Sequence, residues 1–166
     1  MSPDDIAVEI YSELDSPSNI TTSGVAYWLR SNVGKLNNSI FTTFNAPSTN
    51  TGAFYQSIGD STVDMTDKEK DVLKAFYELN YYTRQVTATM GAAALDTVIE
   101  ITSDGASVRR INKNEMSKTW LQMKKDTYKE LQDKINAYKI GEASPEQVAG
   151  DDTITTDKEE IETIRL

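Results

Sequence analysis

Residues 103–138 read SDGASVRRINKNEMSKTWLQMKKDTYKELQDKINAY and constrain the fold more than any other stretch. Asp104-Gly105 is a dipeptide favoured in two-residue hairpin turns, because both central positions want positive φ and glycine adopts it without steric cost. Val98, Glu100 and Thr102 before the turn, and Val108, Arg109, Arg110 and Ile111 after it, suit short strands. Asn112 with Glu115 three residues on forms an Asn version of the capping box and predicts a helix start. From there Met116, Trp120, Met123, Leu131, Ile135 and Tyr138, with Thr127 in the one gap, recur at intervals of three and four and give one apolar stripe. A turn, a short basic extended segment and a long amphipathic helix, with no catalytic group among them, read as an element of assembly.

The rest of the chain is also helical in pattern. Ser2-Pro3-Asp4-Asp5 supplies an N-cap, a proline at the first helical position and acids in the first turn, ahead of the stripe Ile6, Ile10 and Leu14. The cluster DSPSN at 15–19 ends that helix. A second begins near Thr21 or Thr22 and carries Val25, Leu29, Val33, Leu36, Ile40 and Phe44, with Tyr27, Trp28 and Phe41 beside the stripe; the spacing predicts that it runs to about Phe44. Thr66 with Glu69 is a capping box that opens a third, through Val72, Leu73, Phe76, Tyr77, Leu79, Val86 and Met90, with Gly91 and the alanines after it marking its end or a close helix crossing. Between them, 45–65 is rich in Ser, Thr, Asn, Gly and Pro and reads as a long loop of the kind that compact domains keep for a function. Its Phe54, Tyr55 and Ile58 either pack back on the helices or dock on a neighbour.

These elements predict a mainly α fold: a bundle of three or four helices, a long amphipathic C-terminal helix preceded by a short extended or hairpin element, and an extended acidic tail. The expected division is a helical domain over 1–140 and a tail or arm over 141–166. The tail carries little apolar periodicity beyond Ile154, Ile161, Ile164 and Leu166.

Charge is distributed unevenly along the chain. The net charge of −9 divides into −8 over 1–108, +5 over 109–139 and −6 over 140–166. An acidic body, a basic arm and helix, and an acidic tail allow head-to-tail complementarity between identical subunits. Arg109, Arg110 and Lys113 can pair with a partner's carboxylates, remain solvated, or face DNA phosphate; arginine favours the planar, bidentate carboxylate contact. On one helix turn, Tyr27-Trp28-Leu29-Arg30 makes an apolar band too broad for a single face, so Tyr27 or Trp28 is expected to meet another element or subunit. Trp120, the second of two tryptophans, belongs to the core or to an interface.

The chain contains no histidine and no cysteine. That removes imidazole-assisted nucleophiles and the usual zinc sites, and leaves only carboxylate, lysine or tyrosine chemistry. The acidic pairs Asp4 and Asp5, Asp151 and Asp152, and Glu159 and Glu160 fit no calcium-loop pattern and stand where a first helical turn or a polar tail explains them. No enzyme activity, cofactor or metal is expected. The first residues, MSPDDIAVEI, lack a basic and then apolar leader, and no stretch approaches a membrane span, so a soluble, unprocessed chain without membrane contact is expected.

Three segments, AYWLRSNVGKLNNSI, KAFYELNYYTRQVTATMGAAA and SDGASVRRINKNEMSKTWLQMKKDTYKEL, together with their order over 22–138, resemble the head-tail connector (adaptor, or neck) proteins of tailed bacteriophages. The resemblance implies a structural virion protein, made in the host cytoplasm and located at the neck. It would form a closed ring, of about twelve copies in this family, below the portal protein. Such a ring extends the channel through which genomic DNA passes without sequence-specific binding, and docks the next neck or tail completion protein. The interface residues expected on this basis are Tyr27, Trp28, Arg30, Phe54, Tyr55, Ile58, Arg109, Arg110, Lys113 and Trp120. The alternative is a free-standing helical interaction or regulatory module that is not viral.

Overall fold

The computed structural model describes residues 1–93, 101–103, 106–108 and 113–143. Four helices dominate: α1 (Pro3–Glu13), α2 (Thr22–Ile40), α3 (Asp67–Ala93) and α4 (Lys113–Ala143). Two antiparallel hairpins lie between them, β1 (Tyr55–Ile58) with β2 (Ser61–Asp64), and β3 (Ile101–Ser103) with β4 (Ala106–Val108). The mainly α fold with a long C-terminal helix is therefore observed, and α4 runs past the expected boundary at 140.

Local chemistry sets the helix starts. Ser2 and Asp5 form a reciprocal capping box on α1, with Pro3 inside the first turn,. Thr21 caps α2 by accepting from the Gly24 amide. At α3 the Glu69 carboxylate accepts from both the Thr66 amide, at 2.9 Å, and the Thr66 hydroxyl. The predicted hairpin before α4 is present, with Ile101 opposite Val108 and Ser103 opposite Ala106.

Two sequence expectations are corrected. Helix α2 ends at Ile40, short of Phe44, because Phe41 takes a left-handed conformation (φ 59°, ψ 39°) as its C-cap. The Asn37 side chain then holds the next turn: its amide donates to the Phe44 carbonyl at 2.9 Å, and its carbonyl accepts from the Phe44 amide at 3.0 Å. Nor is 45–65 a featureless loop. Its second half is the β1–β2 hairpin, in which Gly59 (φ 61°) supplies the first position of a two-residue turn between Ile58 and Ser61,. Its first half is fastened to the N-terminus by the Asp4 amide on the Asn50 carbonyl (3.1 Å) and the Phe54 amide on the Met1 carbonyl (3.1 Å).

The core gathers Ile6, Ala7 and Ile10 of α1, the Val25–Leu29–Val33–Leu36–Ile40 stripe of α2, Phe44, Phe54 and Met65 from the connection, Val72, Leu73, Ala75 and Tyr77 of α3, and Leu131 and Ile135 of α4. Ion pairs add to the α1–α3 contact. Lys74 reaches Glu13 at 2.6 Å and Glu9 at 3.4 Å, and Lys70 reaches Glu9 at 3.3 Å.

Helices α3 and α4 are antiparallel, since Lys68 and Glu69 at the start of α3 meet Glu142 and Tyr138 near the end of α4, while Tyr82 meets Trp120. At 1.5 Å per residue they are about 40 and 46 Å long. The core uses only the half of each that lies beside α1 and α2. Their other halves form a two-helix arm on which, among the described residues, only Val86 and Thr127 are buried.

Candidate functional site

The arm is the first of two exposed faces that the helices create. On α4, the predicted stripe Met116, Trp120, Met123, Thr127, Leu131, Ile135 and Tyr138 is covered only in part. Leu131, Ile135 and Thr127 are buried and Trp120 is half-buried against Tyr82 at 6.0 Å, whereas Met116 and Met123 stay exposed. One residue further round the helix, Leu121 and Tyr128 are seven apart and both exposed, with Lys124 and Lys125 between them. Met90 of α3 is exposed as well. Two helices bury one seam between them and leave their flanks wet, which a third packing element would cover. Flexible methionines in such a surface adapt to a partner's contours.

At the opposite end of α4 lies a groove of about 640 Å³ between the end of α2, strand β1 and the last turn of α4. Phe41, Thr43, Gln56, Ile58, Tyr138, Lys139 and Ala143 are among its walls. The Phe41 ring is 81% exposed, and the Lys139 ammonium sits 4.6 Å from its centroid. Ile58 and, on the final turns of α4, Ile140 are also exposed. A left-handed backbone is rare for a bulky side chain and costs about 1–2 kcal/mol. Here it projects a large apolar ring into solvent.

Beneath the groove the polar groups are satisfied. The Tyr138 hydroxyl donates to Glu69 at 2.9 Å. Burial alone would raise the Glu69 carboxyl, but the hydrogen bonds from Thr66 and Tyr138 outweigh it and hold the group below its ordinary value. Burial, reinforced by that carboxylate, pushes the Tyr138 phenol far up. Further along α3, burial raises Glu78, which faces Lys134, Glu130, Glu13 and Lys74. Each of these shifts is accounted for by packing and pairing within the bundle. Among the described residues, no group of three or more acidic side chains is placed to hold a metal ion. No described helix is long and apolar enough to cross a membrane.

Among the described residues, those expected at an interface do not converge on one face. Tyr27 is exposed on α2 and Tyr55 on β1, and only Ile58 lines the groove beside Phe41. Trp28 turns inward, edge-on to Tyr77 at 5.2 Å, so of the Tyr27-Trp28 pair it is Trp28 that meets another element of the same chain. Phe54 is fully buried, which corrects its assignment to an interface: it fills the core between the N-terminus and the β1–β2 hairpin. Arg30 is likewise an internal clamp. Its guanidinium donates to the Pro47 carbonyl (3.0 Å), the Ser48 carbonyl (2.6 Å) and Asn50 Oδ1 (2.9 Å), holding the first half of the connection. Lys113 opens α4, while Arg109, Arg110 and the acidic tail over 144–166 lie outside the described residues.

Phe41, Leu121, Tyr128 and Ile140 were not singled out from the sequence as interface residues. Their signal was available in part: each is a large apolar residue off its helix stripe. Compared with known protein families, curated proteins and solved structures, the chain has no match.

Proposed function

We propose that this chain is a structural subunit that assembles with copies of itself, and specifically a head-tail connector of a tailed phage: a ring below the portal that extends the DNA channel and docks the next neck or tail component. The observation that carries the assembly reading is the uncovered arm, where Met90, Met116, Leu121, Met123 and Tyr128 are exposed beyond the reach of α1 and α2. Covering side chains of this size is worth about 1.5–3 kcal/mol each for full burial, enough for a few of them to hold subunits together. Charge gives the contact a direction. The arm's residues, 81–93 and 113–127, carry +3 and residues 1–80 carry −6, so an arm laid on a neighbour's body brings opposite charges together and repeats head to tail,. The phage role itself rests on the sequence resemblance over 22–138.

Light scattering coupled to size-exclusion chromatography tests assembly. The expected result is a mass several times that of the 18.5 kDa chain, rising with concentration, lowered by Leu121→Ser with Tyr128→Ser, and salt-sensitive. Imaging of the protein mixed with portal complexes then tests the connector role, with a ring seated on the portal as the expected outcome. A monomer at every concentration, with or without portal, would place the chain among free-standing helical modules.

A further inference from the structure

The groove beside Phe41 carries an inference that does not depend on the connector reading. Its walls combine apolar, polar and charged groups, among them Glu142, whose carboxylate is paired with Lys68 at 3.5 Å. Phe41, Ile58 and nearby Ile140 are apolar and exposed. Lys139 is a cation whose described contact is the Phe41 ring, with no ion pair to a carboxylate among the described residues. By contrast, nearby Lys68 and Lys134 pair with Glu142 and Glu130. An occupant that fits must therefore offer an apolar side chain with a carboxylate beside it.

The wall of the groove includes Ala143, from which the chain continues for 23 residues to Leu166. That continuation has a net charge of −5, and Ile161 is its one apolar residue with a carboxylate on each side, Glu160 and Glu162. We infer that the groove binds this chain's own segment 159–162, with Ile161 against Phe41 and Ile58 and a flanking glutamate on Lys139. Reach does not limit the contact. Ile161 lies eighteen positions beyond Ala143; extended, that length spans up to about 60 Å, and as a coil on the order of 25 Å. A tether that starts at the groove wall gives an effective concentration in roughly the millimolar range, so a weak contact suffices. The bound tail covers Phe41, and any partner that uses this face must displace it.

Because the chain has no cysteine, the test can be made in the full chain without background thiols. Thr43→Cys at the groove is paired with Thr163→Cys beside the bound segment, and Ser18→Cys with Thr163→Cys, at the exposed α1–α2 connection, is the reference pair. Under mild oxidation the groove pair is expected to close an intramolecular disulfide at least about ten-fold faster than the reference. Adding Ile161→Ser or Lys139→Glu to the groove pair should bring its rate down toward the reference. Equal rates for the two pairs, or a groove rate unmoved by Ile161→Ser, would overturn the inference. A covalent dimer in place of the closed monomer would also overturn it, by assigning the groove to the tail of a second copy.

Discussion

The Tyr138 hydroxyl donates to Glu69 Oε1 at 2.9 Å and joins the last turns of α4 to the first turn of α3. The same carboxylate receives the Thr66 amide and hydroxyl, so one side chain both caps α3 and anchors α4. Tyr138→Phe is expected to cost about 1–2 kcal/mol in urea unfolding, since a largely buried carboxylate loses one donor. The pH dependence has a definite sign. The folded Glu69 carboxyl lies below its ordinary 4.5, so its contribution is present above that value and is lost as pH falls through the folded pKa. Glu69→Gln should therefore flatten the acid limb of the stability curve. An unchanged acid limb would show that the cap contributes nothing there.

Phe54 is fully buried although it lies within a stretch rich in Ser, Thr, Asn, Gly and Pro. Its truncation leaves a cavity in the buried core of the helices, and Phe54→Ala is expected to cost about 3–5 kcal/mol,. Ile58→Ala, four residues on in β1 and exposed, should change stability by no more than about 0.5 kcal/mol. Urea midpoints for the two variants distinguish a structural hairpin from a loop that exists only to reach a neighbour. Similar losses for both would contradict the burial difference.

What could be read from the sequence was local. The Thr66–Glu69 box, the Ser2 cap, the short β3–β4 pairing and the stripes of α1, α2 and α3 depend on residues within a few positions of one another,. Phe44 continues the periodicity past the end of α2, while the bonds from Asn37 that hold the turn after the Phe41 cap join residues seven apart. The order of 45–65 depends on Arg30 and Met1, distant in sequence, so its polar composition alone suggested a loop. For the same reason composition alone leaves open whether Phe54 packs back on the helices or docks on a neighbour. The periodicity of α4 was correct, but it could not show that α1 and α2 cover only half of the stripe.

Arg30 donates three hydrogen bonds across an interval of seventeen to twenty residues, to Pro47, Ser48 and Asn50. Lysine has the charge without the planar fork and cannot satisfy all three acceptors in this geometry. Arg30→Lys is expected to lower stability by about 1–3 kcal/mol and to raise amide exchange in 47–54 ahead of that in the helices. Hydrogen exchange with mass spectrometry reads both regions in one experiment. Uniform loss of protection along the chain would mean that the clamp stabilises the whole bundle instead of this connection.

Lys74 is buried at the α1–α3 contact, with Glu13 at 2.6 Å and Glu9 at 3.4 Å. Burial alone would lower its ammonium, but the hydrogen bonds and charges of Glu13 and Glu9 together outweigh it, and the group lies above its ordinary 10.5. Such a raised group contributes stability that is complete below 10.5 and disappears as pH rises through the folded pKa. Tyr77, Tyr82 and Tyr138 act in the same direction, because burial raises each above 10.0 and the unfolded phenols ionise first. Stability should accordingly fall steeply above about pH 10. Lys74→Met keeps the buried volume and removes the charge; both glutamates remain about half-exposed, and Glu9 keeps Lys70. The expected loss at pH 7 is therefore about 0.5–1.5 kcal/mol, below the 3–5 of a fully buried pair. Urea midpoints measured from pH 7 to 11.5 should show the two proteins converging as pH rises, because the wild type loses the lysine contribution that the variant never had. Curves that stay parallel through this range would show that the Lys74 ion pairs add no stability to the α1–α3 contact.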